Sequence, residues 1–70
     1  MIKDYKSKSA PFIELAKQKQ GRIYELGLQL QGIEAEKIAA IMHDDFEEAA
    51  RFRQQEVELI EQIEMLIEAE

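Results

Sequence analysis

The 70-residue chain has no cysteine and no tryptophan, a single histidine, a single proline and three glycines. Without cysteine, neither a disulfide nor a thiolate zinc site can hold it together. One histidine argues against a histidine-based metal centre as well. No apolar run approaches the ~20 residues that a helix needs to cross a bilayer. The N-terminus lacks the apolar stretch of a signal peptide, so a cytoplasmic protein is expected. No segment alternates in the two-residue period of a strand, and the expected fold class is all-α. A core this small is marginal alone. With disulfides and metals removed, oligomerisation is the remaining source of stability, and a homodimer is expected.

Positive charge is scarce and unevenly placed. The net charge is −6. Residues 1–24 carry six cations against two acids, whereas residues 25–70 carry three against thirteen. Phosphate-backbone binding needs a dense basic surface. Only Lys17, Lys19 and Arg22 in the N-terminal third could supply one, so nucleic-acid binding is the weakest of the functional readings.

What the chain has in quantity is helical periodicity. Residues 1–8 are polar and without period, and read as a frayed or disordered lead-in. Residues 9–70 read as one domain. Ser9 suits an N-cap, and Pro11 suits a first helical turn, where its missing N–H breaks no bond. Ile23, Leu26, Leu30 and Ile33 then alternate steps of three and four, as a coiled-coil seam does. Leu28, Ala35, Ile38 and Met42 form a second, adjacent stripe, so the helix has an apolar face wide enough for more than one neighbour. The period runs through Gly21, Gly27 and Gly32, which gives a long helix over about 10–42. The alternative is a break at Gly21, where Lys17 and Lys19 would suit a helix C-terminus.

The stretch His43–Asp45 reads as a turn. Asp45 stands three residues before Glu48, the capping-box spacing. A second helix is expected over about 46–68, with Val57, Ile60, Ile63 and Ile67 as its seam. Folding the two helices together gives an antiparallel hairpin with Phe46 plugging the corner against Met42 and Ala49 and Ala50 against Ile38 and Ala39. Arg53 then falls opposite Glu34 or Glu36, and the acidic tail from Glu56 onward lies against the basic start of the first helix. The first helix overhangs, leaving Phe12, Ile13, Leu15 and Ala16 without an intrachain partner. They could fold back as a short third helix, or serve as a dimer contact in a four-helix bundle of two hairpins.

The stretch "DDFEEAARFRQQEVEL", Asp44 to Leu59, resembles the UVR motif. That motif is a helical hairpin found in bacterial excision-nuclease subunits B and C, in the linker of Clp-type AAA+ unfoldases and in small activators of the protein-arginine kinase system. The family pattern, an aromatic, Glu, x, Ala, Ala, x, then Leu–Arg–Asp and an apolar residue further on, maps onto Phe46, Glu47, Ala49, Ala50, Phe52, Arg53, Gln54 and Leu59. Gln54 replaces the usual aspartate. Glu56 stands where isoleucine is common and is closer to the Clp linker version. The resemblance implies a protein-interaction role, as an adaptor or regulator of a Clp-type unfoldase, or alternatively as a relative of the repair proteins acting through protein contacts. Partner binding is then expected at Phe46, Glu47, Arg51, Phe52 and Arg53; arginine and aromatic residues are the usual anchors of such contacts.

His43, Asp44, Asp45, Glu47 and Glu48 also cluster in sequence. Neither the Glu-x-x-His spacing of a bundle di-metal site nor an EF-hand loop is present. No phosphate-binding loop and no nucleophile–histidine arrangement occurs. The cluster reads as helix capping and solvation, with no catalytic residue, metal or cofactor, and His43 as an exposed group near the negative end of the helix dipole.

Overall fold

The computed structural model describes residues 9–69 and is helical throughout apart from two short connections, with no strand among the described residues. The lead-in expected over residues 1–8 lies outside them. Helix α1 spans Ala10–Lys17, α2 spans Arg22–Met42 and α3 spans Phe46–Ala69.

The long helix expected over about 10–42 is therefore two helices. Proline occupies the first turn of α1. The helix ends at Lys17, where the N–H groups of Gln18 and Lys19 close tight bonds to the carbonyls of Leu15 and Ala16 at 3.1 and 3.0 Å. Gly21 then takes φ 77° and ψ −136°, a conformation open to glycine and strained for any residue with a Cβ. The physical reason for the break lies in the segment Lys17–Gln20. Its four polar side chains gain nothing from a continued rod. The reversal instead lets Ile13 and Ala16 be buried on α2 and α3, where a full-sized apolar side chain contributes roughly 1.5–3 kcal/mol. Replacing Gly21 by alanine is expected to lower the unfolding free energy in urea by about 1–2 kcal/mol, the cost of a Cβ in that conformation.

The second connection is a C-terminal capping motif without glycine. The Asp45 N–H donates to the Ala40 carbonyl at 2.8 Å and the Asp44 N–H to the Ile41 carbonyl at 3.0 Å. These are the two bonds of a Schellman motif, and Asp44 holds its left-handed position with φ 58°. Asp45 then caps α3, its Oδ1 accepting from the Glu48 N–H at 3.3 Å as the capping-box spacing predicts.

α3 returns along α2 with opposed chain direction, Lys37 meeting Glu56 near the turn and Arg22 lying beside Gln62 and Leu66 at the other end. α1 lies mainly against α2. The result is a flattened body of 39 × 24 × 15 Å. Its apolar core comprises Ile13, Ala16, Ile23, Leu26, Leu30, Leu59 and Ile63, with Phe12, Ile33, Ile60, Leu66 and Ile67 packed around it. The seam predicted on α2 is thus the observed one. The seam predicted on α3 is displaced near the turn: Val57 is exposed and Glu56 is buried in its place. Gly27 lies where α2 passes close to α1. A Cβ built there would stand 2.5 Å from the Ala16 Cβ, whereas one built at Gly32 meets nothing.

Candidate functional site

Two features are built with more chemistry than packing requires. One is a buried polar cluster where the three helices meet. The other is the exposed corner between α2 and α3.

In the cluster, α2 supplies Lys37, α3 supplies Glu56, and Ser9 enters from the residue before α1. The Lys37 Nζ donates to Glu56 Oε1 at 2.9 Å and to Oε2 at 3.1 Å. The Ser9 hydroxyl donates to Oε2 of the same carboxylate. Ser9 stands at the N-cap position of α1 but makes no side-chain cap bond, its hydroxyl being turned inward instead. All three residues are buried. Burial alone would push the Glu56 carboxyl up. The hydrogen bonds from Ser9 and Lys37, with the charges of Lys37 and Arg53, outweigh it and hold the group below the ordinary carboxylate value. Glu34, half-buried alongside, is displaced the other way, by burial and by the Glu56 charge, with partial relief from Lys37. Among the described residues no buried side-chain polar atom lacks a partner. The cluster is sealed from solvent and internally satisfied, so its chemistry is that of a clasp joining three helices.

Sequence reasoning missed this cluster, although a signal was present. Lys37 falls in the register Ile23, Leu26, Leu30, Ile33, Lys37, Ala40, and Glu56 in the register Ala49, Phe52, Glu56, Leu59, Ile63, Leu66. Each is a charge at a core position of its own helix. Two such charges of opposite sign on adjacent antiparallel helices imply a buried pair. Arg53, expected to fall opposite Glu34 or Glu36, makes no ion pair with either. Arg53 is exposed, and Lys37 makes the cross-helix pair instead.

At the corner the expectations need a second correction. Phe46 does not plug the hairpin end: it is 64% exposed, and Met42 is 77% exposed. The three-residue turn is too tight, and its Schellman closure too well satisfied, to leave a hole for the ring. Ala49 is buried as expected, while Ala50, Ile38 and Ala39 are exposed. Of the expected partner-binding residues, Phe46, Glu47, Arg51 and Arg53 are exposed and Phe52 is half-buried. Arg51 pairs with Glu48 one turn earlier on α3, an exposed contact worth about 0–1 kcal/mol that a partner's carboxylate can replace. Of the expected dimer contacts, Ile13 and Ala16 are buried within the chain, Phe12 is half-buried and Leu15 is on the surface. The fold-back of α1 thus covers Ile13 and Ala16, two of the four. His43 is exposed and forms the C-cap of α2.

No group of three or more His, Asp or Glu side chains among the described residues is arranged to hold a metal ion. Among the described residues, the depression lined by Gln29, Ile33, Leu59 and Gln62 is an open groove. No helix among the described residues is long and apolar enough to cross a membrane. No protein-family model matches the chain, and neither a curated protein nor a solved structure matches it.

Proposed function

We propose that the chain is a non-catalytic protein-interaction module that presents the α2–α3 corner to a partner. The observation that carries this reading is the exposure of Ile41, Met42 and Phe46 around one short turn, with Glu47 and Arg51 on the adjoining surface. Three large apolar side chains held in water on a backbone fixed by two capping motifs are costly unless covered. Methionine, phenylalanine and arginine are enriched where proteins meet.

The UVR-like stretch supports a Clp-type AAA+ unfoldase as the partner to test first, with this chain as adaptor or regulator. The test is retention of a purified Clp-type unfoldase on the immobilised protein. Phe46→Ala and Arg51→Ala are each expected to weaken retention at least ~10-fold, the scale of an anchor residue, with unchanged helical circular dichroism. Both side chains are exposed, so neither substitution opens the core. Retention unaffected by both variants would overturn the corner as the binding surface. Retention of excision-nuclease subunits alone would favour the repair-related alternative. Salt-sensitive DNA binding abolished by neutralising Lys17 and Lys19 would favour the nucleic-acid reading.

Self-association is the second part of the proposal. A homodimer of two hairpins would bring four long helices together as a bundle, α2 and α3 from each copy, with α1 as a flanking element. The support is the second apolar stripe of α2, which the fold leaves in water.

A further inference from the structure

Resting on the self-association reading, we propose that two copies pair through the outer face of α2, antiparallel and about a two-fold axis. α2 carries two parallel stripes. The inner one, Ile23, Leu26, Leu30, Ile33, Lys37 and Ala40, faces α1 and α3. The outer one is Tyr24, Leu28, Gln31, Ala35, Ile38 and Met42, and every one of its residues is exposed. Tyr24, Leu28 and Ile38 are 41%, 48% and 39% exposed. No member is charged, although charged residues make up 34% of the chain. Gly32 lies beside the stripe with open space where its Cβ would stand.

Three features select a second copy as the occupant. First, the stripe advances in steps of four, three, four, three and four, a spacing that reads the same in both directions. An antiparallel copy therefore places Tyr24 opposite Met42, Leu28 opposite Ile38 and Gln31 opposite Ala35, with every contact made twice, as an isologous interface requires. Second, Tyr24, Leu28, Ile38 and Met42 stand toward the ends and the small Gly32 and Ala35 flank the middle, so the backbones can approach beside Gln31 at the axis. Third, the ends of α2 differ in charge. Lys17, Lys19 and Arg22 surround its start, and Asp44, Asp45 and Glu47 follow its end. The same register brings the basic start of one α2 near the acidic end of the other. A parallel arrangement would instead set acid against acid.

The surface lies outside the UVR-like stretch and shares Met42 with the corner, so pairing is tested at Leu28 and Ile38 and partner binding at Phe46 and Arg51, which belong to one surface each. Sedimentation at about 100 μM should give twice the 8.2 kDa chain mass. Leu28→Asp and Ile38→Asp should each raise the dimer dissociation constant at least ~10-fold, because each buries an unpaired charge. The direction is read by cross-linking, for which the absence of native cysteine gives a clean background. Tyr24→Cys mixed with Met42→Cys should oxidise to a mixed disulfide, while Tyr24→Cys alone should not couple. A monomer at that concentration would overturn self-association and this interface together. A dimer indifferent to both aspartates would overturn the interface alone. Rapid self-coupling of Tyr24→Cys would overturn the antiparallel arrangement.

Discussion

Glu56→Ala should leave the chain largely unfolded at 25 °C. Its carboxylate takes both Lys37 hydrogen bonds and the Ser9 hydroxyl. Truncation strands a buried ammonium, and breaking a buried pair from one side typically costs about 3–5 kcal/mol. The core of a domain this size rarely supplies more than about 3–5 kcal/mol in total. Urea unfolding followed by circular dichroism measures the effect. The double variant Lys37→Met, Glu56→Leu separates the cost of a stranded charge from the worth of the pair. It should recover most of the loss, since apolar residues of similar size replace buried pairs at little cost. Acid should act through the same group. A carboxyl held below its ordinary value contributes stability that is complete above the ordinary carboxylate range and is lost as pH falls through the lower folded value. Glu34, displaced upward, works in the opposite sense: its folded form takes up a proton first, which offsets part of the loss. Unfolding free energy measured from neutral pH down to pH 3 should therefore fall for the natural chain. It should fall less steeply for Glu56→Gln, which starts lower.

The second large effect is a contrast between two identical substitutions in one helix. Gly27→Ala should destabilise and Gly32→Ala should stabilise. Glycine within a helix costs about 1 kcal/mol relative to alanine, so propensity alone favours both changes. At Gly27 the new methyl would stand 2.5 Å from the Ala16 Cβ, with Ala16 backbone atoms at 3.7 and 3.9 Å. A Cβ has no rotamer to escape with, so α1 must lift. Overpacking of this kind costs about 1–3 kcal/mol, and a contact this short between two groups without rotamers should cost more than the propensity gain. At Gly32 nothing of the same chain lies within reach, and the gain of up to about 1 kcal/mol should appear undiminished in thermal unfolding of a chain carrying Leu28→Asp, which keeps two copies apart. Hydrogen exchange should localise the Gly27→Ala defect to α1 and spare the turn at Asp44.

The contrast also shows what was legible in the linear chain and what was not. The α2 seam, the turn at His43–Asp45 and the Asp45 cap could be read because each is a local pattern of spacing and side-chain chemistry. The break before Gly21 was one of two readings of the same residues. Periodicity continued across it, and only the burial of Ile13 and Ala16 on a distant stretch of chain decides between them. Glu56 was misread for a related reason. A glutamate among glutamates looks like a solvated face until its helix is placed against the one carrying Lys37. The exposure of Phe46 could not be read at all, since it depends on how tightly the corner closes. Of the candidate binding surface, Glu47, Arg51 and Arg53 are exposed, while the clasp of Ser9, Lys37 and Glu56 came only from the packed structure.

The inward turn of Ser9 fixes more than an attachment. Apolar surfaces grip without direction: a short greasy helix such as α1 could creep a turn, ~5.4 Å, along its bed and still find carbon to lie on. A single hydroxyl aimed at one oxygen tolerates no such creep, because any shifted position would break one of the two hydrogen bonds to a desolvated carboxylate oxygen. Ser9 therefore works as an indexing pin, setting where α1 stops as well as that it stays.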